Sequence, residues 1–395
     1  MNQLQLFLPC AAGVEDYLAN EVQRITGLPG DSVLRQRGGV ALRTSWRDAM
    51  LLNLYSRLAQ RVLVLLSYTE YRNEQDLYRA ASEVAWEVWF TPHESIKVEV
   101  TAQHSPLTSL NFAALKIKDA VCDRFRVKAN GVRPDVDTQR PDVRIYTHLS
   151  TDSCSLYIDT SGEPLFKRGA RAAQGEAPIK ENLAAGILKL TGWKPGTALL
   201  DPMCGGGTFL VEAAQIALDI APGLVRNFGF EKLNGFDATL WTTLRSEAEG
   251  RRKPIDPLPI YGSELYGDTL KLALANLHTA GLAQAVQLKQ ANALEISAPA
   301  ETGVIVTNPP YGERMGEQQE LAEFYPKFGD ALKQKFAGWN CYILSADMSL
   351  PKLIKLQVSK RTPLFNGALE CRLFEYKIVA GSMRSPKFAQ SGDRG

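Results

Sequence analysis

Thr197-Ala198-Leu199-Leu200-Asp201-Pro202-Met203-Cys204-Gly205-Gly206-Gly207-Thr208 reads as a short buried strand, a glycine turn and the start of a helix that runs from Phe209 to Ile220. Strand, glycine turn and helix form the ligand-binding corner of a doubly wound α/β sheet. The glycines let the backbone approach a ligand closely and adopt positive φ. Two other readings fail on the residues. A phosphate-binding loop needs Lys and then Ser or Thr after its last glycine, and Thr208-Phe209 follows here. A dinucleotide fingerprint needs a further glycine three positions after Gly207, where Leu210 stands. An acid at the strand end, with a helix N-terminus behind it, suits a ligand with a cationic amine and an uncharged ribose. S-adenosylmethionine (SAM) meets that description. Asp201, Pro202, Cys204, Gly205, Gly207 and Thr208 are therefore candidate cofactor-binding residues. No histidine lies near Cys204 in sequence, so it reads as a small packing residue rather than a nucleophile.

Working outward, further strand ends carry suitable side chains in sheet order. Pro259-Ile260-Tyr261-Gly262-Ser263-Glu264 reads as the next strand, and Glu264 is placed to accept both ribose hydroxyls. A helical run from Leu270 to Ala280 follows, then the strand Val286-Gln287-Leu288, with Asn292 placed to meet an adenine ring. The β-branched run Val304-Ile305-Val306-Thr307 leads into Asn308-Pro309-Pro310-Tyr311. These last four suit the handling of a flat base with an exocyclic amine. The Asn308 amide oxygen accepts an N–H. The prolines stiffen the turn and remove backbone donors, so carbonyls can point outward. Tyr311 offers a face on which a base stacks, worth roughly 1–3 kcal/mol. Asn308, Pro309, Pro310 and Tyr311 are the candidate catalytic residues, and Asn308 also borders the cofactor.

The bulk composition is that of a folded multidomain chain, with 395 residues, 45% of them hydrophobic and 22% charged. No apolar run approaches the roughly 20 residues that span a bilayer, and the N-terminus lacks the features of a signal peptide. A cytoplasmic location is expected. The six cysteines are scattered without Cys-x-x-Cys, and the four histidines are equally dispersed, so no metal site is expected. The net charge of +2 does not announce a nucleic-acid partner. Its distribution is more suggestive: Arg24 to Arg61 holds seven arginines against Asp31 and Asp48, and Lys116, Lys118, Arg124, Arg126 and Lys128 cluster on or after one helix.

The first half reads as α+β with mostly antiparallel pairing. Strands are expected over 4–9, 38–43, 61–71, 96–100, 143–149 and 154–159. Helices are expected over 14–25, 46–59, 74–89 and 111–126. Residues 161–180 read as a linker or strap rich in Gly and Pro, with Lys167, Arg168 and Arg171 among them. From Ile179 onward, helices and apolar strands alternate as in a βαβ domain. Residues 225–258 form a polar, aromatic insertion of the kind that shapes substrate access. The domain expectation is 1–60, 61–160, a strap over 161–180, a Rossmann-like domain over 181–382 and a tail over 383–395.

The second half resembles a class I SAM-dependent methyltransferase of the amino-methylating type. The chain as a whole resembles the bacterial THUMP-containing guanine-N2 rRNA methyltransferases, RlmL and its short YpsC-like relatives. Segments that carry the resemblance include Phe7 to Glu15, Ala102-Gln103-His104-Ser105, Phe166 to Arg171, Ala177 to Ala184, Phe365 to Cys371 and, most specifically, Asn308 to Arg314. The resemblance implies an N-terminal ferredoxin-like part with a THUMP domain that binds structured RNA. It implies that Asp201, Gly205 and Gly207 line the methionine part of SAM, that Glu264 holds the ribose and that Asn292 meets the adenine. It also implies 23S rRNA as substrate, methylated at the 2-amino group of a guanosine. Lys116, Lys118, Arg124, Lys167, Arg168, Arg171 and Arg314 are the candidate RNA contacts. The chain departs from the usual pattern at Asn292 and Glu264, where Asp is commoner, at Ala170 for Tyr, and at Gly206 for Ser. Competing readings are a tRNA guanine-N2 methyltransferase, an adenine-N6 DNA methyltransferase and a non-enzymatic RNA-binding assembly factor.

Overall fold

The structure is a computed structural model and describes residues 3–169, 179–309, 315–367 and 369–379. The N-terminal half is built on one seven-stranded sheet in the order β2-β3-β1-β4-β7-β6-β5. Its strands are β1 (Leu4–Pro9), β2 (Val33–Gln36), β3 (Gly39–Thr44), β4 (Leu63–Glu70), β5 (Ile96–Ala102), β6 (Val143–Leu149) and β7 (Ser153–Asp159). In β1 the leucines alternate inward, with Leu6 and Leu8 fully buried, as a half-buried strand requires. All pairs are antiparallel except β5 with β6. The helices are α1 (Glu15–Thr26), α2 (Trp46–Tyr55), α3 (Glu74–Glu83) and α4 (Leu110–Lys128). Side-chain caps start three of them: Ser45 accepts from the Asp48 amide, Asn73 from those of Gln75 and Asp76, and Ser109 from that of Phe112.

The structure departs from the sequence expectation in several places. β2 has one buried residue and no apolar alternation, so periodicity does not reveal it. The helix expected over 46–59 ends at Tyr55, where the Ser56 hydroxyl and the Arg57 amide turn to buried Glu21 and the Arg57 guanidinium to Glu212. The helix expected over 74–89 ends at Glu83, and a separate 3-10 turn over Trp86–Val88 buries the Trp86 indole, whose Nε1 donates to the Ala81 carbonyl at 2.7 Å. One sheet runs across residues 60/61, with β1 pairing β4 through Leu6 opposite Val64 and Phe7 opposite Leu63.

The second half carries another seven-stranded sheet, ordered β10-β9-β8-β11-β12-β14-β13. Its strands are β8 (Ala198–Asp201), β9 (Ile260–Glu264), β10 (Gln287–Gln290), β11 (Gly303–Thr307), β12 (Asn340–Ser345), β13 (Lys360–Asn366) and β14 (Leu369–Lys377). Strands β8 to β12 are mutually parallel, whereas β14 runs antiparallel to both β12 and β13. The helices are α5 (Glu181–Leu190), α6 (Thr208–Ala217), α7 (Ala238–Gly250), α8 (Gly267–Thr279), α9 (Met315–Lys335) and α10 (Leu350–Leu353). Every residue of β8 and β11 is buried, as central parallel strands covered on both faces require. The chain leaves β8 toward β9 on one side and returns to β11 on the other. A crevice therefore opens at their carboxyl ends, the usual ligand position in such sheets.

The two halves share one apolar core, in which Leu54 and Leu58 join Leu183, Leu210 and Phe228. The insertion over 225–258 belongs to this junction rather than to the approach to the crevice. Its aromatic rings Phe228, Phe230 and Trp241 pack on one another. Its backbone is tied to the N-terminal half, with the Phe230 amide on the Thr160 carbonyl at 2.8 Å and the Asn234 amide on that of Trp89 at 2.8 Å. Beside it lies a buried ionic cluster. Glu212 of α6, 1% exposed, receives Arg57 Nη1 at 2.7 Å and Arg168 Nη1 at 3.1 Å. Arg168 Nη2 also donates to the Arg57 carbonyl at 3.0 Å. Burial pushes the Arg168 guanidinium below its ordinary pKa, and Glu212 opposes that shift.

Removing one member of such a cluster strands buried charge. Glu212→Ala is expected to cost about 3–5 kcal/mol of unfolding free energy, whereas Lys333→Ala, at an exposed pair with Asp330, should stay within about 0.5 kcal/mol. Urea unfolding of the full chain reads both.

Candidate active site

Asp201 ends β8 and is 2% exposed. Its Oδ1 accepts the Met203 amide at 3.2 Å, closing an Asx turn. Burial pushes its carboxyl up to about 7, with smaller opposing effects from the Thr307 hydroxyl and the Met203 amide and a small further rise from Glu264. The Thr307 hydroxyl lies near enough to favour the ionised acid, yet it is buried without a hydrogen bond of ordinary geometry.

The glycine turn is pinned from three sides. The Cys204 amide donates to the Ser263 carbonyl of β9 at 3.0 Å, and the Gly207 amide donates to the Cys204 carbonyl at 2.8 Å. Glu264 Oε2 accepts the Gly205 amide at 3.0 Å. Asn276 Nδ2 of α8 donates to the Gly206 carbonyl at 2.9 Å. Gly205 and Gly207 stand at φ 52° and 77°, the left-handed region that a side chain disfavours. No atom lies within 4 Å of where a Cβ on Gly205 would be, so the turn presents bare backbone to open space. Pro202 is buried, and its carbonyl accepts the Ser263 hydroxyl at 3.1 Å. Thr208 is buried at the start of α6. The Cys204 thiol is buried and pushed well above its ordinary pKa, first by burial and then by Asp201 and Glu264, so it stays protonated and serves packing.

Glu264, 8% exposed, also gathers the Leu265 and Tyr266 amides on Oε1 at 3.0 and 3.3 Å. The Ala291 amide donates to the Glu264 carbonyl at 3.1 Å, which brings Asn292 beside it. Asn292 Oδ1 accepts the Leu294 amide at 3.0 Å. On the other side of β8, the last register pair with β11 is Leu200 with Ile305. Thr307, half-buried Asn308 and buried Pro309 therefore continue past Asp201 at the same sheet edge. Pro310, Tyr311, Arg314 and Arg171 lie outside the described residues.

The donor set fits a cationic, ribose-bearing ligand. Asp201 and Glu264 are two buried acids on adjacent strands, and neither is paired with a cation among the described residues. Asn276 and Ser263 were not legible as site residues from motif reading. The signal for Asn276 is a polar residue on the buried face of α8, beside Ala273 and Leu277. No group of acids, His and Cys that could hold a metal is present among the described residues, and no described helix is long and apolar enough to cross a membrane.

The candidate RNA contacts divide. Arg168 is buried in the Glu212 cluster, which removes it from any surface role. Arg124 is held bidentately by Glu87, with Nε to Oε2 and Nη2 to Oε1 both at 2.7 Å, and it also donates to the Ser82 carbonyl. It ties α4 to the end of α3 and is a structural residue. Lys167 is exposed and pairs with Glu163 at 2.7 Å. Lys116 lies over the Phe112 ring at 5.4 Å, and Lys118 pairs with Asp119 at 2.6 Å. Both line a surface groove of about 430 Å³ with Arg126 and Arg133. The arginine-rich stretch from Arg24 to Arg61 is not one patch, because Arg57 and Arg61 are consumed in buried pairs with Glu212 and Asp159.

Comparison with known proteins agrees with this architecture. Residues 168–375 match the family described as RMKL-like, methyltransferase domain. Residues 71–159 match the THUMP domain, and residues 5–63 the RlmL ferredoxin-like domain. The ribosomal RNA large subunit methyltransferase K/L of Aeromonas hydrophila is 39% identical over 97% of this chain and 56% of its own length. An RNA methyltransferase of Synechocystis sp. is 36% identical over 94% of this chain and 96% of its own. The chain spans about half the length of the K/L relatives it matches. The crystal structure of the methyltransferase SMU.472 complexed with SAH superposes with a TM-score of 0.86 at 28% identity, covering 97% of this chain and 100% of that one. With an RMKL-like domain spanning its second half and THUMP and RlmL-type ferredoxin-like domains in its first, the chain belongs to the RMKL-like methyltransferase family.

Proposed function

We propose that this protein is a SAM-dependent RNA methyltransferase that modifies the exocyclic 2-amino group of a guanosine in 23S rRNA. The observation that carries the reading is the meeting, at one sheet edge, of an acid pair on β8 and β9, unanswered by any cation among the described residues, with Asn308 and Pro309 after β11. When bound, SAM supplies an electrophilic methyl group on a sulfonium. Asp201 and the glycine-turn backbone, open at Gly205, take the methionine part, Glu264 the ribose hydroxyls and Asn292 the adenine edge. The Asn292 oxygen keeps a second lone pair beyond its bond to the Leu294 amide.

The 2-amino nitrogen of guanine is a poor nucleophile, because its lone pair is delocalised into the ring. Asn308 Oδ1 and the Pro309 carbonyl accept its hydrogens, which favours a pyramidal nitrogen and aims the lone pair. These fixed dipoles also stabilise the positive charge that develops on nitrogen. Much of the remaining gain is alignment of two bound reactants. Tyr311 is assigned to stacking on the extruded base, which offsets part of the few kcal/mol that unstacking costs. The THUMP match and the names of the relatives support RNA over DNA as the substrate class.

Incubation with labelled SAM and either large-subunit rRNA, tRNA or duplex DNA, followed by nucleoside mass spectrometry, tests the assignment. The expected product is N2-methylguanosine from rRNA. N6-methyl-2′-deoxyadenosine from DNA, or label confined to tRNA, overturns it. Asn308→Ala is expected to lower kcat by about 10²–10³-fold, with SAM binding by calorimetry near wild type. A parallel loss of SAM affinity would reassign Asn308 to cofactor binding. A pH dependence follows from Asp201. Its folded-state pKa is raised to about 7, so with no cation bound the fold loses stability as pH climbs through the ordinary carboxylate range toward 7. A cationic ligand recovers that loss by favouring the ionised acid. SAM affinity is therefore expected to weaken about tenfold from about pH 8 to about pH 6, and Asp201→Asn should flatten the profile.

A further inference from the structure

The methyltransferase sheet has a second charged surface, apart in sequence from the glycine turn and from Asn308 to Arg314. Between Asp347 and Glu370 the chain contains Lys352, Lys355, Lys360 and Arg361 and no acid. All four are exposed, and none forms an ion pair among the described residues. Some exposed cations have an acid at hand, as in Arg126–Asp123 at 2.6 Å, Lys271–Asp268 at 2.8 Å and Arg252–Glu249; over residues 352–361 four stand together without one. Even Glu375, the register partner of Lys360 on β14, does not close to ion-pair distance.

These cations border a concave surface. Lys352, Lys360 and Arg361 line an open groove of about 510 Å³ with Pro351, Val358 and Ser359. Lys355, between them in sequence, is held at φ 56°, a conformation that costs a residue with a Cβ. The lining combines apolar Pro351 and Val358 with three cations and the Ser359 hydroxyl, a combination suited to sugar faces and phosphate oxygens. From the groove, β13 runs toward the N-terminal half, where Pro363 and Leu364 lie against Gly13. Leu364 is part of the core shared by both halves. A chain of phosphates lying in the groove thus meets the seam between the two modules.

The geometry points to this groove as a second RNA-binding surface, one that holds the phosphate backbone of the substrate outside the methylated nucleotide. The inference rests on the RNA methyltransferase reading above and assigns it a docking surface on the methyltransferase domain. The occupant is nucleic acid rather than an acidic protein, because the substrate in that reading is itself a polyanion.

The test uses the full chain with Lys352→Ala, Lys360→Ala and Arg361→Ala combined. Its control carries the same charge change at Lys271→Ala, Lys333→Ala and Arg252→Ala. Binding to a large-subunit rRNA fragment is measured by filter retention across a salt series, alongside calorimetric SAM binding and gel filtration. The groove variant is expected to lose about fivefold to fiftyfold in RNA affinity at physiological salt, and the slope of log K against log salt should fall by about 2. SAM affinity and the control variant should match wild type. Wild-type affinity and slope in the groove variant overturn the proposal. If that variant also aggregates, the lysines serve to protect an edge strand. If it binds naked RNA normally but fails to bind ribosomal particles, the groove meets protein and the proposal is equally overturned. Failure of wild-type protein to methylate any RNA defeats the underlying reading instead, and is seen separately.

Discussion

Two acids that no cation answers among the described residues organise the second half of this protein. Asp201 and Glu264 end adjacent parallel strands, and the polypeptide between them in space is the glycine turn. Glu264 holds that turn by the Gly205 amide while gathering the first amides of the following segment. The acid expected to touch a ligand is therefore also the one that shapes the ligand's seat. Asp201 is in the opposite position. It is buried, weakly hydrogen-bonded and forced toward neutrality by its surroundings. The sheet keeps such a residue only because the surrounding strands over-determine its position, a condition common at functional sites.

The first half is attached to this centre through its interior. Arg57 follows α2, Arg168 belongs to the strap, and both converge on Glu212, one turn into the helix that starts at the glycine turn. The aromatic insertion adds a second attachment through the Thr160 and Trp89 carbonyls. Whatever the THUMP half grips is thereby coupled to the crevice through buried contacts.

The catalytic-domain fold was legible because its signals are local and redundant. A buried strand, a glycine turn and a helix can be read from Thr197 to Ile220 alone, and acids at successive strand ends repeat the message. What escaped had non-local causes. β2 gains its place by pairing with β3, not from its own pattern. Helix α2 ends where Glu21, far along the chain, accepts the Ser56 hydroxyl and the amides of Arg57 and Leu58. Arg124 and Arg168 looked like RNA contacts because charge in sequence carries no sign of its partner. Only the fold brings Glu87 and Glu212 to them. The insertion over 225–258 was misread for the same reason, since aromatic residues before a ligand-binding strand suit a lid and a domain junction equally well. Asn276 was passed over because its work is done on a carbonyl of another segment.

Arg226 has a different consequence. Its guanidinium, 9% exposed, is bound by the carbonyls of Ser161, Glu163, Pro164 and Lys167 and by no carboxylate among the described residues. Burial pulls its pKa down to about 10, still well above neutrality. Dissolved ions screen attraction between exposed charges over about 8–10 Å, but they barely reach a cation enclosed by dipoles. The clasp on the connecting segment is thus indifferent to brine, while any grip on polyphosphate relaxes in it. Concentrated electrolyte would weaken any such grip and leave the two halves fastened together.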